Sequence, residues 1–253
     1  MKLQWIIEPE EVYRIQAFVA KHRSNAHVLE RIQNNLRSDK PPVSLTEFWE
    51  KLVGCLLTTQ QPSGPNSPLV RFMATRPFPL SFEECQRAAV VESFCSDVLQ
   101  QFGGLRRYLI ISREVSANFA FLQGRGWEQA LAHLEAVRIN STPETERLAA
   151  DFLADHLRGV GPKQSRNLLQ WLGLSRYETP IDSRISRWLN DFGFPFRLSA
   201  AALANREYFC LVTEGFQQMA AACDIAPCVL DAAIFASFDT KRVDSFECEE
   251  VIR

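Results

Sequence analysis

In LTEFWEKLVGCLL, residues 45–57, the apolar side chains of Phe48, Leu52, Val53, Leu56 and Leu57 recur every three or four positions, the stripe that a helix turns toward a core. The same period runs through 11–22, 91–102, 105–122, 127–137, 144–157, 200–222 and 227–238. Local punctuation agrees with it. Ser44 with Glu47 and Ser81 with Glu84 have capping-box spacing, and Thr142-Pro143 reads as an N-cap followed by proline at the first helical position. Strand-like alternation is confined to Leu3, Trp5 and Ile7. The pattern predicts an all-α protein of about a dozen helices with at most a short N-terminal strand.

Two breaks interrupt the helical pattern. One lies at KPPV, residues 40–43, where prolines stop a helix, and the other at GLSRYETPI, residues 173–181, where a glycine ends one helix and a proline delays the next. They outline a central helical domain over 44–172, and a second helical lobe formed by 1–43 together with 173–253. At 253 residues and 46% hydrophobic content, the chain can bury roughly three quarters of its unfolded surface. The start, MKLQWIIEPEEV, has one lysine, a short apolar run and then three acidic residues, which is no secretory signal. No apolar run approaches the ~18 residues of a membrane span, so the expected location is the cytoplasm.

Seven scattered cysteines without a C-x-x-C pair argue against a disulfide framework or a zinc site. Cys210, Cys223, Cys228 and Cys248 are separated by 12, 4 and 19 residues, a spacing that matches no iron–sulfur cluster motif. The four histidines form no metal-binding pair either. A net charge of −2 leaves little basic footprint for nucleic acid. The exception is local: residues 157–187 carry Arg158, Lys163, Arg166, Arg176, Arg184 and Arg187 against Glu178 and Asp182, an excess of four positive charges.

That basic stretch contains the chain's most specific pattern. AADFLADHLRGVGPKQSRNLL, residues 149–169, reads as helix, Gly-Val-Gly turn, helix, with Phe152, Leu153 and Leu157 inward on the first helix and Leu168, Leu169 and Leu172 inward on the second. Gly159 and Gly161 allow positive φ or close backbone approach, and Pro162 suits the first helical position. The amides at that helix start form an anion site without any basic side chain. Lys163 falls in the same first turn, where a cation is disfavoured. Asp182, opening DSRISRWL, is a favoured N-cap.

LRGVGPKQSRNLL followed by PID resembles the helix-hairpin-helix DNA glycosylase superfamily, whose signature combines this hairpin, a Gly/Pro-rich loop and an aspartate. The resemblance covers residues 149–190. Members that also cleave the DNA backbone carry a lysine at the position of Lys163, and the 19 residues from Lys163 to Asp182 are similar to the interval in the 8-oxoguanine DNA glycosylase branch. The resemblance implies catalytic roles for Lys163 and Asp182. It also implies DNA-backbone contacts at Gly159, Gly161, Gln164 and Arg166, with Arg106, Arg107 and Arg113 as further phosphate contacts, each of which a helix-surface arginine explains equally well. GCLLTTQQPSG, residues 54–64, is similar to the segment that fills the gap left by an extruded base, with Gln60 first and Gln61 next as the wedge.

The expected function is therefore a base-excision-repair glycosylase with AP lyase activity, removing an oxidised base, first 8-oxoguanine, from double-stranded DNA through a lysine Schiff base and β-elimination. The expected enzyme works as a monomer and needs no cofactor and no iron–sulfur cluster, with room for a monovalent cation at the hairpin. Two alternatives stay open: an endonuclease III-like enzyme for oxidised pyrimidines without its cluster, and a non-catalytic helix-hairpin-helix DNA-binding protein. Position 167 is Asn where some 8-oxoguanine enzymes have Cys.

Overall fold

A computed structural model describes residues 4–61 and 66–250, the side chains of 239–250 excepted. Thirteen α-helices occur among the described residues: α1 (Pro9–His22), α2 (Ala26–Asn35), α3 (Leu45–Leu57), α4 (Pro68–Ala74), α5 (Phe82–Arg87), α6 (Val91–Phe102), α7 (Tyr108–Phe121), α8 (Trp127–Ile139), α9 (Pro143–His156), α10 (Pro162–Trp171), α11 (Ser183–Phe192), α12 (Arg206–Ala222) and α13 (Pro227–Glu250). The all-α expectation holds. No strand occurs among the described residues, and Leu3 lies outside them. Trp5 and Ile7 alternate for another reason: both pack on an apolar core, where Trp5 stacks on Phe194 at 5.3 Å between ring centroids.

Side-chain caps start most of these helices. Ser44, Ser67, Ser81, Thr142 and Asn205 each accept a hydrogen bond from the backbone N–H three residues on, which satisfies a donor the helix itself cannot. Asn205 also explains a difference from the periodic pattern. The expected helix over 200–222 is a short 3-10 turn at Ala202–Ala204 and then α12, because Asn205 takes an extended backbone and starts a new helix. Likewise the expected helix over 105–122 begins only at Tyr108, behind Arg107 in a left-handed conformation with φ +58°.

The chain forms two compact units, Met1–Lys40 with Ser175–Arg253, and Pro41–Leu174. In the Pro41–Leu174 unit α3 is buried on nearly every side, with Trp49 as well as Phe48, Leu52, Val53, Leu56 and Leu57 out of solvent. The Trp49 indole donates to the Leu80 carbonyl at 2.7 Å and meets the Phe82 and Phe119 rings edge-on. α10 packs against both α3 and α9. Its approach to α3 depends on Gly54, where a Cβ would stand 2.8 Å from Trp171 Cζ3 and 3.1 Å from Met73 Cε.

In the other unit α1, α2, α11 and α12 pack on α13. Arg31 of α2 and Asp231 of α13 form an ion pair of 2.8 Å, with both side chains about nine-tenths buried. Cys55, Cys85, Cys95, Cys223 and Cys228 are buried free thiols and Cys210 is half-buried, while the side chain of Cys248 lies outside the described set. No cluster of three or more His, Cys, Asp or Glu suited to a metal occurs among the described residues. No single helix among them is long and apolar enough to cross a membrane.

The buried pair predicts a large single-site effect. Arg31→Met removes the guanidinium that faces the buried Asp231 carboxylate, and lowers unfolding free energy by about 3–5 kcal/mol in chemical denaturation.

Candidate functional site

The hairpin between α9 and α10 is shaped by its two glycines for different reasons. Gly159 has φ +77°, and a Cβ there would lie 2.5 Å from Glu114 Cδ and 2.7 Å from Leu56 Cδ2, so both backbone conformation and packing require glycine. Gly161 is extended, with φ −94° and ψ −170°, and a Cβ there would meet nothing within 4 Å. Neither strain nor crowding demands glycine at 161; the backbone simply lies open. Between them Val160 is buried and anchors the hairpin to the core.

Asn118 of α7 fixes the hairpin from behind. Its side-chain amide donates to the Arg158 carbonyl at 3.0 Å, and its oxygen accepts from the Arg158 N–H at 2.7 Å. Asn118 is 1% exposed, and removing it would take the partner from both Arg158 backbone groups. Glu114, one turn earlier on α7, stands beside Gly159; burial raises its carboxyl above the ordinary range, opposed by the Arg107 charge.

Gly161 is the N-cap of α10 and brings no side chain to cap it. The first-turn N–H groups of Lys163 and Gln164 have no intrahelical acceptor and point out of the helix start beside the open Gly161 backbone. Lys163 is half-buried, and its Nζ donates to Gln164 Oε1 at 3.3 Å. The buried Cys55 thiol is within the field of Lys163 and receives Asn167 Nδ2 at 3.5 Å; burial nevertheless pushes it up to about 12, so it stays a neutral thiol near neutral pH.

Burial removes one expected DNA-backbone contact and confines a second to its main chain. Arg166 is fully buried, and its guanidinium pairs with Asp151 of α9 at 3.1 Å and reaches Ser165 Oγ at 3.3 Å. It is an internal strut of the hairpin and presents no charge to a phosphate. Gln164 is 8% exposed, with its side chain turned inward onto α3; only its backbone N–H faces outward. Arg106 and Arg113 are exposed, Arg113 being paired with Glu92 at 3.2 Å, and Arg107 is half-buried.

The two wedge candidates separate clearly. Gln61 is held at both ends of its amide, donating to the Leu57 carbonyl and accepting from the Arg106 N–H at 3.0 Å. Gln60 is exposed and sits at φ +56°, a left-handed conformation that costs a non-glycine residue about 1–2 kcal/mol. In the other unit, Asp182 caps α11. Its Oδ1 accepts from the N–H groups of Arg184 at 2.8 Å and Ile185 at 3.0 Å, while Oδ2 faces Arg184 Nη1 at 3.5 Å. The side chain keeps 24% exposure, and capping occupies only one oxygen.

No family model matches the sequence, and no curated protein is similar to it in sequence. Solved structures do share its fold. The 8-oxoguanine DNA glycosylase of Methanocaldococcus jannaschii aligns with a TM-score of 0.65 at 16% identity, over 88% of this chain and 91% of that one. The same enzyme bound to a 15-mer DNA containing 8-oxoguanine aligns with 0.65 at 15%, over 87% and 95%. The 8-oxoguanine DNA glycosylase of Thermotoga maritima aligns with 0.61 at 13%, over 88% and 95%. The chain thus has the helical fold of these glycosylases.

The contrast between the hairpin glycines is measurable as stability. Gly159→Ala costs about 1–2 kcal/mol from backbone conformation alone, with the Leu56 and Glu114 clashes added. Gly161→Ala stays within about 0.5 kcal/mol of the parent chain in thermal or chemical unfolding.

Proposed function

We propose that the chain is a DNA glycosylase with AP lyase activity that removes an oxidised base, first 8-oxoguanine, from duplex DNA. One observation carries this reading: Lys163, a primary amine, stands in the first turn behind an open Gly161 backbone, on a fold that solved 8-oxoguanine glycosylases share. A hairpin that only bound DNA would need the open backbone and the amides, but not the amine.

The chemistry follows from these groups. A phosphate approaches the α10 start, where the backbone N–H groups and the helix dipole attract it. Gly161 leaves space for that approach. The damaged nucleotide leaves the stack, because its glycosidic bond is unreachable inside the duplex. The Lys163 amine attacks C1′, the C1′–N bond breaks, and the base departs taking a proton. Opening of the sugar ring at O4′ gives the iminium; loss of a proton from C2′ then expels the 3′ phosphate. Asp182 supplies a carboxylate whose Oδ2 is not needed for capping and which stabilises positive charge developing on the sugar. Gln60 fills the space left in the stack, while Gln61 holds the turn that carries it.

The deciding experiment is borohydride trapping on duplexes carrying 8-oxoguanine, thymine glycol, uracil, an alkylpurine or an abasic site. A covalent adduct with 8-oxoguanine and abasic DNA is expected, and its loss in Lys163→Gln with DNA binding retained. Trapping that persists in Lys163→Gln refutes the nucleophile, and no trapping by the parent chain on any duplex refutes the enzyme. Asp182→Asn preserves the cap and the fold yet slows base removal, whereas Asp182→Ala also loses about 1 kcal/mol of helix stability.

Gln60 gives an independent check. Gln60→Gly relieves the left-handed backbone and stabilises the chain by up to about 1 kcal/mol, while base removal from duplex DNA falls and cleavage of a pre-formed abasic site is largely kept. Equal loss of both activities contradicts the wedge assignment.

A further inference from the structure

Resting on the glycosylase/lyase reading above, we propose that Gln164 is a positioning residue for the Lys163 amine: its amide forms a strut between that amine and the C-terminal turn of α3, the turn that carries Gln60. Three distances define the strut's fixed end. Gln164 Nε2 lies 2.7 Å from the Cys55 carbonyl, 3.1 Å from Thr58 Oγ1 and 3.0 Å from Thr59 Oγ1. The Cys55 carbonyl can only accept a hydrogen bond, so the nitrogen of the amide must face α3. That orientation is dictated by the network. The oxygen therefore faces the other way, toward Lys163 Nζ at 3.3 Å.

This geometry sets the direction of the Lys163 amine. Gln164 Oε1 is an acceptor without charge, so it engages an N–H of Lys163 whether or not the amine carries a proton. In the neutral amine the nitrogen lone pair must then point away from Oε1, since two lone pairs facing each other repel. A nucleophile needs that lone pair aimed at carbon, and a flexible four-carbon stem does not aim it unaided. The strut's other end is rigid: α3 is buried on nearly all sides, and Thr58 Oγ1 is itself tied to the Cys55 carbonyl at 2.7 Å. Cys55 adds no charge beside the amine, because burial keeps its thiol protonated.

The same turn holds both working residues of this unit. Thr58 and Thr59 grip Gln164, and Gln60 follows them directly with its strained backbone. The strut thus joins the wedge turn to the nucleophile within one hydrogen-bonded assembly, over a sequence separation of 105 residues between Thr59 and Gln164.

The test uses the full chain and a duplex with a single abasic site, under single-turnover borohydride trapping across a pH series, with duplex affinity and thermal unfolding measured alongside. Gln164→Met keeps length without hydrogen bonds; it should slow trapping by about tenfold to a hundredfold, with affinity for the duplex unchanged. Gln164→Glu places a carboxylate against the amine and should move the trapping profile to higher pH, since an adjacent anion favours the ammonium, an effect that a purely structural role does not produce. Thr59→Val, which removes one anchor and leaves Gln164 in place, should slow trapping in the same direction by less, and it decides the matter if Gln164→Met does not fold. Parental rate and profile in the Gln164 variants, or in Thr59→Val should Gln164→Met fail to fold, overturn the strut while leaving the lyase standing. Absence of trapping by the parent chain overturns the lyase reading itself, and the strut with it.

Discussion

Everything in the Pro41–Leu174 unit depends on how closely α10 can lie on α3. α10 is a polar helix by composition, yet Gln164, Ser165, Arg166, Asn167 and Gln170 are all buried along with Leu168 and Leu169. A helix of this kind stays folded in an interior only if its polar groups find partners there. Gly54 lets the two helices approach, because any side chain at that position would collide with Trp171. Once they are close, the α3 carbonyl of Cys55 and the hydroxyls beyond it come within reach of Gln164, and Asp151 of α9 comes within reach of Arg166. Hydrogen bonding and packing therefore fix the start of α10, and with it Lys163, to one place.

The hairpin is held by the same logic from the opposite side. Asn118 makes a two-way pairing with the Arg158 backbone, so the chain entering the turn cannot drift. Gly159 then turns the chain against Leu56 and Glu114, and Val160 buries itself. Gly161 and the backbone N–H groups of Lys163 and Gln164 in the first turn of α10 are left without an internal duty. In a segment where nearly every polar group is committed, the uncommitted backbone marks the surface on which a ligand can act.

What could be read in advance follows from how local each signal is. Helix starts were legible at Ser44, Ser81 and Thr142, because a cap and its recipient N–H lie three residues apart. Ser67-Pro68 carries the same signal and begins α4. The glycine hairpin was legible for the same reason. Arg166 was misread because charge in a sequence says nothing about depth, and its partner Asp151 sits on the neighbouring helix. Asn118 gave no signal, since its contact is 40 residues away. The role of Gln164 was equally hidden: a glutamine after the lysine reads as a surface residue until α3 is placed beside it. The alternation at Trp5 and Ile7 imitated a strand because two residues apart on an extended chain can face one core without any ladder.

Burial of Arg166 bears on how, under the proposed function, a chain of net charge −2 would engage a polyanion. With Arg166 withdrawn into an ion pair, the hairpin offers few cationic side chains to a phosphate, and the local excess of positive charge in residues 157–187 overstates what reaches solvent. The remaining attraction at the α10 start comes from backbone N–H groups and the helix dipole, which are fixed in direction and carry no flexible stem. Such a contact neutralises less charge than a lysine or arginine and releases fewer counterions, so its contribution depends weakly on salt. It is correspondingly strict in geometry. Under the proposed function, a site built this way would take its grip from where a phosphate must sit, and that same constraint would set the sugar of a bound nucleotide relative to the Lys163 amine.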